Sequence, residues 1–265
     1  MNISSSLTCK PLVIGHRGAA GEAPENTLAS FQHALEEGAD ALELDVHLSR
    51  DGKLIVCHDA SVNRTTNGLG WIRQMTSDEL RALDAGGWHS PQFTGEPIPL
   101  LEDVFREIPE KVLINVEVKH SYERQIEPVL VDLLRRTGRM DDVIVSSFDH
   151  KSLVYLKSLA PEVKLGLLYG ENLVNPVAVA RLTGVPIHSL HPYFGFITRE
   201  DVDAASRAGL NVYPYTANEE SDYRRLVHAG VSGIITDFPG RLRSLLDIWF
   251  DGPTTGNQSG KAGEK

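Results

Sequence analysis

The sequence predicts a single (β/α)₈, or TIM, barrel of the α/β class, and three observations carry that expectation. The chain has 265 residues, close to the ~250 typical of such a barrel and enough to bury a large core without disulfides. Short β-branched or apolar runs alternate with helix-like segments along most of its length, the pattern of repeated βα units around a parallel sheet. Eight such runs can be counted, the number that closes the barrel. They are Leu12 to Gly15, Ala41 to Leu48, Val112 to Val118, Val143 to Ser147, Lys164 to Tyr169, Pro186 to Leu190, Asn211 to Thr216 and Gly233 to Thr236.

Between the first two runs, Leu28, Phe31 and Leu35 recur at helical spacing and Gly38 follows as a stop signal, which predicts the first barrel helix. After the second run, Asp51 and Gly52 read as a hairpin turn that sends Lys53 to Cys57 back as an extra extended segment. Residues from about 59 to 99 are rich in Gly, Pro and Asn and include Trp71, Trp88 and Phe93. This stretch is longer than a βα loop and predicts an insertion that caps the barrel mouth. Within it, Thr76 and Glu79 have capping-box spacing ahead of Leu80 and Leu83, predicting a helix that breaks the regular alternation. The barrel domain is expected over residues 10–250, and the Gly-, Thr- and Ser-rich residues 251–265 as a disordered tail.

Composition excludes several classes of function. Hydrophobic content of 41% and charged content of 23% are those of an ordinary globular protein, and no apolar run approaches the ~18 residues that span a bilayer. The segment Met1 to Lys10 lacks a basic stretch followed by a long apolar one, so the expected location is cytoplasmic, without stable membrane association. A net charge of −10 opposes binding to nucleic acid or anionic membrane, so an anionic substrate must be small and held by a local site. Cys9 and Cys57 have no zinc or redox spacing and read as free thiols. A monomer or a homodimer is expected.

The chemistry is read from the strands. In Ala41 to Leu48 the apolar residues alternate with Glu43, Asp45 and His47, which places the polar set on one face. In Val112 to Val118 the same alternation turns Asn115, Glu117 and the following Lys119 away from Ile114, Val116 and Val118. Residues two apart on a strand are separated by ~6.6 Å, so Glu43, Asp45 and Glu117 converge near the barrel mouth. Three carboxylates suit a hard divalent cation, magnesium or calcium, and the absence of a Cys or His ligand cluster disfavours zinc. The alternative is a structural network in which these acids pair with Lys119 or Arg17. The first strand ends in Gly15, His16, Arg17 and Gly18, which offers a guanidinium fork for phosphate oxygens and an imidazole. His58, from the returning segment, is a second imidazole, and two suffice for acid and base.

With its motifs in order, HRGAAGEAPENTLASF from His16, ALELDVHLSRDGKLIVCHD to Asp59, INVEVK, VSSF and GIITDFP, the chain resembles the glycerophosphodiester phosphodiesterases over roughly Val13 to Arg241. NRTTNG and DAGGW within the insertion are most similar to the soluble bacterial members. The resemblance implies that Glu43, Asp45 and Glu117 bind the metal, that His16 and His58 are acid and base, and that Arg17 and Lys119 contact phosphate. It also implies that Glu25 helps shape the site near Arg17. One departure concerns head-group preference: the family's usual WTVN-like stretch reads YTAN here, so Tyr215 offers its aromatic face and a hydroxyl to the glycerol portion, unless it only packs the barrel.

The reaction so implied is metal-dependent hydrolysis of small glycerophosphodiesters to sn-glycerol 3-phosphate and an alcohol. Three rival readings fit the sequence less well. The same chemistry on lysophospholipids needs an exposed apolar path, and none is readable in the sequence. A catalytically silent sensor has no chemical need for three acids and two histidines. A phosphate-gripping isomerase or synthase needs a glycine-rich cradle, for which TDFPGR is poor.

Overall fold

The computed structural model describes residues 9–252. Its eight parallel strands are β1 (Leu12–Gly15), β2 (Ala41–Leu48), β4 (Leu113–Val118), β5 (Val143–Ser147), β6 (Lys164–Tyr169), β7 (Ser189–Pro192), β8 (Asn211–Val212) and β9 (Gly233–Thr236). Hydrogen-bonded neighbours run in the order β8-β7-β6-β5-β4-β2-β1-β9, and a ninth strand, β3 (Leu54–Val56), pairs antiparallel with β2. The seam between β8 and β9 is closed by backbone bonds from Ser232 N to Val212 O (3.0 Å) and from Ile235 N to Pro214 O (3.0 Å). The sheet is thus a closed (β/α)₈ barrel, and no unpaired edge is left at that seam.

β4 starts one residue later than expected and β3 is one residue shorter at each end; two further strands differ by more, for reasons of local chemistry. The run from Pro186 becomes a strand only at Ser189 and continues to Pro192. Its inward residues, Ser189 and His191, are polar, so counting apolar residues stops too early. The run Asn211 to Thr216 keeps strand pairing only over Asn211–Val212, because Pro214 has no N–H to give the ladder. The backbone nonetheless continues alongside β7 through Tyr213 N to Leu190 O (2.9 Å) and Tyr215 N to Pro192 O (3.0 Å).

The outer faces of the strands carry Leu42, Leu44, Val46, Ile114, Val116 and Val118, all buried against surrounding helices. The first of these helices, α1 (Leu28–Glu36), is capped by the Thr27 side chain and buries Phe31 and Ala34. Inside the barrel, the end nearer the strand starts is closed by Ile14, Ala41, Ile144, Tyr213 and Ile235. Polar inward positions therefore collect towards the C-terminal ends, the end at which barrels of this kind place their sites.

The segment after β3 forms its own small apolar cluster, in which Ile55 and Cys57 meet Val62, Ile72, Leu80, Ala85 and Ile98. Its short helix α2 (Ser77–Arg81) has a complete capping box between Thr76 and Glu79. Trp71 and Trp88 are 57% and 41% exposed, and Trp88, His89 and Phe93 stack edge to face among themselves. The aromatics of the insertion thus pack locally, and a different residue of it, Arg64, reaches the site. Cys9 is exposed, Cys57 is buried, and neither is in a disulfide. The last helix, α9 (Pro239–Asp251), runs through Asp251; the tail expected over 251–265 lies, from residue 253 on, outside the described residues. No helix among the described residues is long and apolar enough to cross a membrane.

Candidate active site

β2 and β4 lie side by side in a register that pairs Glu43 with Asn115 and Asp45 with Glu117. Both polar rows therefore face the barrel axis, and one oxygen from each of Glu43, Asp45 and Glu117 lies within 4.8 Å of the others. All three residues are buried. Burial and the neighbouring negative charges raise Glu43 and Glu117 above the usual carboxylate range. Asp45 goes the other way: desolvation opposes its ionisation, but the charges of Lys119 and Arg17 and the Asn26 amide outweigh it. Lys119 Nζ is 2.6 Å from Glu117 and 3.3 Å from Asp45, and Arg17 Nε is 3.3 Å from Asp45. The pairing of these acids with Lys119 and Arg17 is therefore present, yet it leaves three carboxylates facing two cations.

The turn after β1 aims Arg17 by backbone geometry. Arg17 and Gly18 both have positive φ, 50° and 88°, and a Cβ on Gly18 would sit 2.3 Å from Ser30 Oγ, so only glycine fits there. This turn points the Arg17 amide at Glu43, to which it donates at 2.9 Å. The guanidinium donates from Nη1 to Glu25 at 2.7 Å. Asn26, also at positive φ, bonds Asp45 twice, through its side-chain amide at 2.8 Å and from the Asp45 N–H at 3.2 Å.

Each of the two histidines is held at Nδ1 by a carboxylate. His16 Nδ1 lies 2.6 Å from Asp237 Oδ1, just beyond β9, and Asp237 in turn accepts from the Asn218 amide at 2.6 Å. His58 Nδ1 lies 2.6 Å from Asp59 Oδ1. Asp59 is lowered, chiefly by its bonds to Arg64 and then to His58, while Asp237 is lowered by His16 in spite of desolvation. Ionised partners accept, so these bonds assign the proton to Nδ1 and leave Nε2 with the lone pair. His16 Nε2 faces the acids, 3.9 Å from Glu43. The loop carrying His58 is steadied by His47, the third polar residue of β2, whose Nε2 lies 3.0 Å from the His58 carbonyl and whose Nδ1 lies 2.5 Å from Tyr122 Oη.

Tyr215 lines a small cavity together with His16, Glu43, Asn115, Glu117, Leu168 and Ile235. Its hydroxyl donates to Tyr169 O at 3.2 Å and its ring meets Phe148 edge to face at 6.0 Å. Glu25, Lys119 and Tyr215 thus join the acids, Arg17 and His16 in one constellation, and His58 is tied to it through Asp59, Arg64 and Glu25. Sequence reasoning passed over Asn26, Asp59, Arg64, Asn218 and Asp237. Of these only Asp59, adjacent to His58, and Asp237, at the C-terminal end of a strand in GIITDFP, carried a local signal. A larger groove of about 650 Å³ lies outside the barrel between α5 (His150–Leu159) and α6 (Pro176–Leu182); it is lined by Arg124, Lys151, Tyr155 and Leu182 among others and contains no carboxylate.

Comparison with known proteins identifies the family. The model of the glycerophosphoryl diester phosphodiesterase family matches residues 16–241. A glycerophosphodiester phosphodiesterase of Caldanaerobacter subterraneus subsp. tengcongensis is 42% identical over 240 residues, covering 89% of this chain and 98% of that protein. A human lysophospholipase D is 30% identical, covering 88% and 85%. Among solved structures, a phosphodiesterase of Oleispira antarctica in complex with the product sn-glycerol-3-phosphate superposes with a TM-score of 0.84 at 32% identity, over 89% of this chain and 97% of that one. With a family match over residues 16–241, which hold His16, Arg17, Glu43, Asp45, His58, Glu117 and Lys119, the chain belongs to the glycerophosphoryl diester phosphodiesterase family and is a phosphoric diester hydrolase.

Proposed function

We propose that the chain hydrolyses glycerophosphodiesters to sn-glycerol 3-phosphate and an alcohol, with His16 and His58 exchanging the protons and a divalent cation, magnesium or calcium, held by Glu43, Asp45 and Glu117. The observation that carries this reading is the pair of imidazoles, each with Nδ1 on a carboxylate, beside three crowded carboxylates. The donor set fits a hard cation, since it is all oxygen and its charge is not balanced by Arg17 and Lys119. When bound, such an ion supplies charge neutralisation at the phosphate oxygens.

The chain's own groups do the rest. Arg17 and Lys119 hold phosphate oxygens, Arg17 through a fork and Lys119 as a point charge. One imidazole, neutral with its lone pair on Nε2, takes the proton of the attacking hydroxyl, and the other, in its imidazolium form, delivers its Nε2 proton to the leaving alkoxide. Asp237 and Asp59 keep both rings in the tautomer that work requires and stabilise whichever is protonated. The attacking hydroxyl is either water, which gives glycerol 3-phosphate directly, or the glycerol 2-hydroxyl, which expels the alcohol and leaves a cyclic phosphate that water then opens. The enzyme is read as cytoplasmic and as a monomer or homodimer, its barrel over residues 10–250 and its insertion, 59–99, acting on head-group choice.

A second reading has its own observation. Phe148, Tyr193 and Phe196, on the loops after β5 and β7, are 52%, 39% and 42% exposed, an apolar rim that composition alone did not reveal and that favours an acyl chain on the substrate. One experiment separates the two: glycerol 3-phosphate and lysophosphatidate release from a panel of glycerophosphodiesters and lysophospholipids, with and without chelator. Release of glycerol 3-phosphate from short head groups, lost on chelation, is expected. Turnover of lysophospholipids alone would move the reading to lipids.

A further inference from the structure

Beyond Asp59 at its first position, the insertion contributes Arg64 to the site. Arg64 is presented by a loop that Val62 and Ile72 anchor in the small apolar cluster, with Val62 N bonded to Gly70 O at 3.0 Å and Ile72 N to Ala60 O at 2.9 Å. Its guanidinium grips two carboxylates at once. Nε and Nη2 donate to the two oxygens of Asp59 at 2.9 and 3.0 Å, and Nη1 and Nη2 donate to the two oxygens of Glu25 at 2.7 and 2.8 Å. Every nitrogen of the fork is engaged, so Arg64 has no edge turned to a phosphate. What it holds is more telling: Asp59 is the partner of His58, and Glu25 the partner of Arg17.

We infer that Arg64 is a positioning residue that clamps the proton-transferring His58 and the phosphate-holding Arg17 in fixed relation, so that the insertion after β3 sets the geometry of the reaction through one guanidinium. The inference rests on the roles proposed above for those two residues. Two planar carboxylates on one rigid fork fix both distance and orientation, which an ammonium on a flexible stem does not. Misplacement of a reacting group by about 1 Å can cost about 10²-fold, so the expected loss is large without Arg64 touching substrate.

The test separates the two arms of the clamp. Asp59→Asn loosens only His58 and is expected to lower kcat with KM nearly unchanged. Glu25→Gln loosens only Arg17 and is expected chiefly to raise KM. Arg64→Ala is expected to do both, lowering kcat/KM by about 10- to 100-fold, with partial recovery on adding millimolar guanidinium and little recovery in Arg64→Lys. The clamp is overturned if folded Arg64→Ala keeps kcat and KM within twofold of the wild type, or if Arg64→Lys matches the wild type. Should Arg64→Ala fail to fold, the Arg64→Lys result decides. A crystal structure of the variant reads the clamp without turnover: the His58 and Arg17 side chains are expected to shift, and their retention in place overturns the inference. Absence of hydrolysis by the wild type would instead defeat the proposed reaction, and the variant structure would still decide the clamp.

Discussion

The two halves of the barrel are built to different rules. On the side of β1, β2 and β4 the inward and rim positions are charged, with Arg17, Glu43, Asp45, Glu117 and Lys119 in mutual contact. On the side of β5 to β8 the inward positions are neutral, with Ser146, Gly166, Ser189, His191 and Tyr215 lining the wall, and the rim carries Phe148, Tyr193 and Phe196, with the Glu171 carboxylate as its acid near Tyr215. Charge in a buried site must be answered at close range, so the first half is a network in which each group has a designated partner. Neutral walls need only fill space. The difference suggests that the first half handles the phosphate and the protons, and the second half the uncharged part of the substrate.

The largest expected effect tests the charged half at its centre. Asp45 is bonded by Asn26 and lies close to Arg17 and Lys119, so Asp45→Asn keeps the shape of the site and removes the charge that Arg17, Lys119 and the proposed cation share. A loss of about 10³-fold in kcat is expected, matched by chelation of the wild-type enzyme. Near-normal turnover in metal-stripped protein or in the variant would contradict the cation site.

Next in size come the histidines. His16→Ala and His58→Ala should each lose about 10² to 10⁴-fold, the usual worth of a general acid or base, with folding and metal affinity retained. A nitrophenyl leaving group needs little protonation, so only the variant lacking the general acid should regain rate with it. Equal recovery in both, or recovery in neither, would refute the division of labour. Asp237→Asn keeps the imidazole but misdirects its tautomer, and should fall between His16→Ala and the wild type.

Smaller changes are expected from the neutral half. Phe148→Ala and Tyr215→Phe should leave kcat within a few-fold and alter the ratio of kcat/KM between head groups by roughly tenfold or less, the scale of one apolar contact in a pocket. A kcat collapse in Tyr215→Phe would mean that its hydroxyl belongs with the charged half, and the comparison between the halves would fail.

How far the sequence reveals these halves follows from the range of the interactions. β2 is legible because polar and apolar residues alternate strictly over the seven positions Leu42 to Leu48, and β3 because Asp51-Gly52 turns the chain within two residues. The site residues of the charged half are legible for the same reason: they sit at fixed offsets on strands or beside strand ends. The partners that orient them are, Asp59 apart, distant in sequence even where, like Asp237, they sit beside a strand end. Asp237 is 221 residues from His16 and Arg64 is 39 from Glu25, and no periodicity connects loops that meet only when the barrel closes. The ends of β7 and β8 depart from the sequence pattern because the inward residues of β7 are polar and because Pro214 interrupts the ladder after β8 without ending the extended path.

The smallest effect on activity, and the clearest on stability, belongs to His191 in the neutral half. Its imidazole is fully buried, with Nε2 2.8 Å from Ser189 Oγ, and it occupies the space where a Cβ on Gly166 would lie, 2.4 Å from that nitrogen. Desolvation, with a smaller contribution from His188, lowers its pKa from 6.5 to about 3. No carboxylate faces it to offset that cost. A neutral group in the fold that takes a proton when unfolded makes the unfolded state the stronger proton binder at acid pH. Its contribution is therefore complete above pH 6.5 and is lost as the pH falls from 6.5 towards about 3, at up to about 1.4 kcal/mol per pH unit. His191→Gln retains an amide for Ser189 and cannot titrate. Denaturant melts at pH 7.5, 6, 5 and 4.5 should show wild-type stability falling more steeply than that of the variant below pH 6.5, with turnover at neutral pH nearly the same in both. Parallel pH profiles would mean that the imidazole is protonated, or reached by water, within the folded barrel, and that the wall opposite the acids is less dry than its neutral lining implies.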